Sequence, residues 1–152
     1  MEQKQINWKM AIVAGLAGTI LFDLLGLVLT GQWWDIPALL GEKTGLGMAY
    51  GVFGHFSNGI LLAILYAGIA PSLFGPAWIR PFIFVTAQTI ALVWFFMFPL
   101  VGAGIAGLNV GPEMAIGSML RHWIYAVPFI FLINPAEGLG KSKEEHRELK
   151  TA

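Results

Sequence analysis

Long apolar runs alternate with short polar or Gly/Pro-rich breaks along this chain. Four runs, residues 10–30, 46–70, 81–103 and 113–134, stand out. Each reaches the roughly 20 apolar residues that a helix needs to cross a hydrocarbon core. The separators are "GQWWDIPALLGEKTG", "PSLFGPAWIRP" and "GIAGLNVGP". Connections this short make sequential helices antiparallel neighbours. The pattern therefore predicts an all-α integral membrane protein, an up-down-up-down bundle of four transmembrane helices. Residues 1–140 form this domain and residues 141–152 a charged cytoplasmic tail. The opening "KMAIVAGLAGTILF" has signal-peptide character, but its apolar run continues past Asp23 to Thr30. It reads as a retained first helix. Pro99 and Pro128 should kink or end their helices. The first connection, with Trp33 and Trp34, fits either a segment lying on the membrane or one folded over the bundle.

Composition strengthens the membrane reading. The 152 residues are 57% hydrophobic and 12% charged, with mean hydropathy +0.70. A soluble domain of this size needs more charge on its surface. The formal net charge is +0, which does not support a nucleic-acid surface. The absence of Cys excludes disulfides, thiolate metal sites and a Cys nucleophile. Lys4, Lys9, Arg80, Lys141, Lys143, Arg147 and Lys150 fall at the two termini and the second connection, whereas the first and third connections hold Lys43 alone. Positive charge gathers on the cytoplasmic side, so both termini are expected there. Trp8, Trp33, Trp34 and Trp78 mark span ends.

The ionisable residues inside the spans change the picture most. Asp23, His55, Arg121 and His122 all count to roughly 10–14 Å below the outer end at a helical rise of about 1.5 Å per residue. Helical spacing places each on a small-and-polar stripe: Gly15, Thr19, Asp23, Gly26 and Thr30 on the first span; Gly51, His55, Asn58, Gly59, Leu62 and Tyr66 on the second; Gly117, Ser118, Arg121, His122 and Tyr125 on the fourth. Gln88, Ala91 and Phe95 are the candidate matching face of the third. Charges facing lipid cost at least about 2.5–3.5 kcal/mol, so the stripes should turn inward, with small residues allowing close helix approach.

Several chemistries fit such a layer. An Asp23–Arg121 ion pair with hydrogen-bonded His and Asn neighbours would lock helix packing. Haem b between the second and fourth spans would take His55 and His122 as axial ligands, standing diagonally at one depth. Arg121 and Asp23 would then balance charge, with Arg121 on a propionate. Ser118 or Asn58 would set a His tautomer, and Tyr125 would line the site. A metal held by the two His and Asp23 is a variant of this. A proton or solute conduit is the third reading, with Gln88, Thr86 and Tyr66 as its polar groups in the inner half. The cofactor or ligand readings imply an accessory subunit of a membrane redox complex; enclosing a pore would require a homo-oligomer. No G-x-S-x-G, H-E-x-x-H, phosphate loop or dinucleotide fingerprint marks an enzyme.

"MAYGVFGHF" and "MAIGSMLRHW" are alike, as are "AGTI" and "AQTI", which raises a two-helix duplication. "GHFSNGILLAILYAGIAPSLFG" followed by "FPLVGAG…PEMAIGSMLRHWIY" resembles the YagU-like group of small bacterial inner-membrane proteins. The matching positions are His55, Phe98, Pro99, Leu100, Gly102 and His122. Arg121 departs from the Gly expected there. The resemblance implies a four-span inner-membrane protein and no activity.

Overall fold

The computed structural model describes residues 6–133; the tail proposed for 141–152 lies outside them. Among the described residues the fold is all helical: α1 (Trp8–Thr30), α2 (Asp35–Thr44), α3 (Gly47–Ile69), α4 (Arg80–Leu100) and α5 (Pro112–Leu132). Short 3₁₀ turns follow α3 and precede α5. All but α2 are long and apolar enough to cross a membrane.

Local signals explain the boundaries. The Asn7 side chain accepts from the Met10 amide at the start of α1, and α1 ends where Gly31 turns left-handed. α5 opens on Pro112 with Glu113 in its first turn, a proline and a carboxylate suited to a helix N-terminus. Pro99 lies one residue before the end of α4, whereas α5 runs through Pro128 to Leu132.

Helix α1 is the hub, packing along both α3 and α5, and α5 also packs on α4. Four members of its predicted stripe, Gly15, Thr19, Asp23 and Gly26, are buried; the fifth, Thr30 at the end, is exposed. Tyr66, Val85, Tyr125, Ala126 and Phe129 fill the core towards the other end of the bundle. Large side chains point outward all round: Val28 is 79% exposed and Phe131 78%. In a four-span protein this apolar surface is the lipid-facing one.

Three of the four seams between successive spans around the bundle are packed. The fourth, between α3 and α4, is not: these two helices barely touch. Short connections thus give the expected order around the bundle but not a closed bundle. Within α4 the backbone widens into a π-helical stretch, Thr89–Met97, along this open seam. π segments are rare and are frequent at functional sites.

Candidate functional site

The polar layer assembles, with one partner the stripe pattern did not supply. Asp23, 1% exposed, accepts from His55 Nε2 through Oδ1 at 2.9 Å. Arg121 Nη2 lies 3.9 Å from the same oxygen. The tighter partner of Arg121 is Asp35, bound in a fork by Nη1 to Oδ2 at 2.6 Å and Nη2 to Oδ1 at 2.8 Å. Arg121 Nε also donates to the Phe22 carbonyl at 3.3 Å, and the guanidinium lies 4.1 Å above the Phe22 ring centroid. The expected Asp23–Arg121 pair is therefore the long arm of a larger network. A bidentate, charge-assisted geometry is the stronger one, so Asp35 holds the guanidinium.

Asp35 belongs to α2, the first connection. The chain turns at Trp34 in a left-handed conformation, φ 59°, and Asp35 starts the helix with Oδ1 accepting from the Ile36 amide at 2.8 Å. α2 then folds over the bundle against α3. Two glycines permit this arrangement. A Cβ on Gly51 would run into the Pro37 carbonyl of α2, and a Cβ on Gly26 would run into the Arg121 guanidinium. Gly51, on the predicted stripe of the second span, thus makes room for α2.

The two imidazoles face different partners. His55 directs Nε2 at Asp23, while His122 Nδ1 lies 2.7 Å from the Ser118 carbonyl. The Ser118 backbone, not its hydroxyl, thus orients His122; that hydroxyl accepts from Trp94 Nε1 at 2.9 Å and donates to the Ala115 carbonyl. The Phe22 ring packs against both, with centroids 5.5 Å from His55 and 5.1 Å from His122. Tyr125 donates to the Gly59 carbonyl at 2.6 Å, tying α5 to α3.

These contacts do not fit haem b. Bis-His ligation needs a ring nitrogen of each His aimed at one iron, and His55 gives its Nε2 to a carboxylate. Arg121, assigned to a propionate, is engaged by Asp35. The His₂–Asp23 metal variant fails similarly, because only His55 contacts Asp23, and among the described residues no three His, Asp or Glu side chains gather as metal ligands.

Beside the network lies a cavity of about 490 Å³. It fills the unpacked seam: α2 supplies Ile36, Leu39 and Leu40; α3 supplies Gly54, His55, Asn58 and Leu62; α4 supplies Gln88, Leu92, Val93 and Phe96. Phe22, His122 and Tyr125 close its back wall. No Asp, Glu, Lys or Arg lines it. Of the face proposed for the third span, Gln88 reaches this cavity, whereas Phe95 is 60% exposed and turns outward.

No family model, curated protein or solved structure matches the chain. The likeness to the YagU-like group rests on the residues quoted above.

What the structure establishes is a multi-pass membrane protein with a buried Asp23/Arg121/His55 network, extended by Asp35. Sequence reading missed Asp35 because it sits outside the spans. Its signal was nevertheless present in "WWDIP": an acidic residue followed two positions later by Pro is a helix-start pattern, and an Arg inside a span requires a strong anion.

Proposed function

We propose that this protein binds a neutral, mostly apolar small molecule in the cavity between α3 and α4, with α2 as its cover. The observation that carries this reading is the separation of charge from cavity. Asp23, Asp35 and Arg121 sit in the adjacent layer, yet none of the three lines the cavity, and the Phe22 ring that does line it lies against the Arg121 guanidinium. The volume lies within the roughly 300–1,000 Å³ of small-molecule sites, and an apolar wall with a few convergent polar groups is their usual composition. The π-helical stretch of α4 supplies Leu92, Val93 and Phe96 to that wall. An unpacked seam between two spans also gives a molecule dissolved in the bilayer a lateral route in.

The Lys/Arg distribution supports an orientation with both termini cytoplasmic, which puts α2 at the outer face. In this role the ion network is the scaffold. Arg121 clamps α2 through Asp35 and α1 through Phe22 and Asp23, while His55 ties α3 to α1.

Photolabelling tests the reading. A diazirine-bearing long-chain alcohol in proteoliposomes should mark peptides from the α3 and α4 walls, competed by the unlabelled alcohol. Uniform labelling of all lipid-facing helices, without competition, would remove the binding site.

The Asp23–His55 pair favours a second reading, a proton relay, because His55 stands between a buried carboxylate and the cavity. Its test is proton flux in liposomes. A pH-driven flux lost in His55→Phe would support it, and equal leak in the variant and the parent protein would end it.

A further inference from the structure

The hydrogen-bonding groups of the cavity wall are unevenly engaged. Three wall hydroxyls donate to backbone carbonyls: Thr19 to Gly15 at 2.8 Å, Thr44 to Leu40 at 2.7 Å, and Tyr125 to Gly59 at 2.6 Å. Their protons are taken. Two acceptors remain open on the wall. A carbonyl oxygen can only accept, so the His122–Ser118 contact places the ring proton on Nδ1. In the neutral imidazole, Nε2 then presents its lone pair, with no protein partner among the described residues. Gln88 Oε1, on the facing helix, is buried and likewise unpartnered. The free donors of the wall are the Gln88 Nε2 amide, beside its own oxygen, and the Asn58 amide and Tyr50 hydroxyl, which belong to exposed residues.

His122 Nε2 thus opens onto the cavity as an acceptor, and Gln88 Oε1 is a second one, buried, where a missing donor costs about 1–3 kcal/mol; together they favour a ligand that brings a proton. We infer that the molecule bound between α3 and α4 carries a hydroxyl on an apolar body and donates that hydroxyl to His122 Nε2. This rests on the binding reading above and narrows it to alcohols and phenols, against ketones, esters and ethers, which can only accept. His122 acts as a recognition residue. Ser118 is a positioning residue: its backbone carbonyl fixes the imidazole tautomer.

The experiment compares para-heptylphenol with its methyl ether, which differ in the one proton. The protein is histidine-labelled with a nitrogen isotope in lipid nanodiscs, and the His122 ring nitrogens are followed by NMR during titration. The phenol should shift the Nε2 resonance saturably, and the ether should require about tenfold more to saturate, the worth of one hydrogen bond. His122→Gln, which keeps an acceptor, should retain the preference; His122→Leu should lose it. The parent-protein comparison stands without either variant. Equal saturation by phenol and ether would overturn the hydroxyl inference and leave the cavity reading intact. Saturation by neither would overturn both.

Discussion

Removing the Asp35 carboxylate should release α2. In Asp35→Ala, Arg121 loses both arms of its fork and keeps only the Phe22 carbonyl at 3.3 Å and Asp23 at 3.9 Å. Each charge-assisted bond contributes about 1.5–3 kcal/mol, and breaking a buried pair costs about 3–5 kcal/mol. The Asp35 side chain is 19% exposed, which puts the loss at the lower end, about 3 kcal/mol, or roughly 150-fold in the population with α2 undocked. Hydrogen exchange of the Leu39 and Leu40 amides in nanodiscs reads that population directly, because local opening controls their exchange. Exchange in the variant should be about two orders of magnitude faster in α2, with α1 and α5 much less affected. A double-mutant cycle with Arg121→Met should return a coupling of at least about 2 kcal/mol. If Asp35→Ala leaves α2 exchange unchanged, the packing of Pro37 on Gly51 holds the helix, and the clamp has been misassigned.

Three further outcomes follow from the same geometry. Gly54→Leu should keep or raise thermal stability, because a Cβ at Gly54 meets nothing and replacing a mid-helix Gly gains up to about 1 kcal/mol; a lower melting point would show that the cavity is not open there. Tyr125→Phe should lower unfolding stability by about 1–1.5 kcal/mol, the net worth of its bond to the Gly59 carbonyl, and no change in a denaturation midpoint would refute that link between α5 and α3. Gly26→Val should cost about 1–3 kcal/mol by crowding the guanidinium and should erase the Asp35–Arg121 coupling in the same mutant cycle; full stability with intact coupling would contradict the close approach.

Much of this arrangement was legible in the chain. Hydrophobic length located the spans, and helical spacing put Gly15, Thr19, Asp23 and Gly26 on the buried face of α1, because a small-and-polar stripe has only one inexpensive orientation in lipid. Counting depth brought Asp23, His55 and Arg121 together. What spacing cannot encode is which oxygen a guanidinium chooses. Asp23 shares the layer, but the fork needs two coplanar oxygens, and Asp35 offers both from the start of α2. Nor does spacing show that a seam stays open: α3 and α4 are joined by a short connection, yet the π-helical stretch and the side chains of Leu62, Leu92 and Phe96 surround a void. The bis-His expectation failed for a related reason. A shared depth fixes where His55 and His122 sit, while the direction of each ring depends on local partners, Asp23 for one and the Ser118 carbonyl for the other.

The cavity between α3 and α4 is the centre of the account, and filling it from within tests it most directly. Gly54 lines the cavity and a Cβ added there meets nothing, so the ring of Gly54→Phe should occupy the cavity. Photolabelling by the diazirine alcohol should then fall to the level of the lipid-facing helices, with the variant still folded and melting no lower than the parent protein. Undiminished, competable labelling of the same α3 and α4 peptides in a folded Gly54→Phe protein would contradict the account.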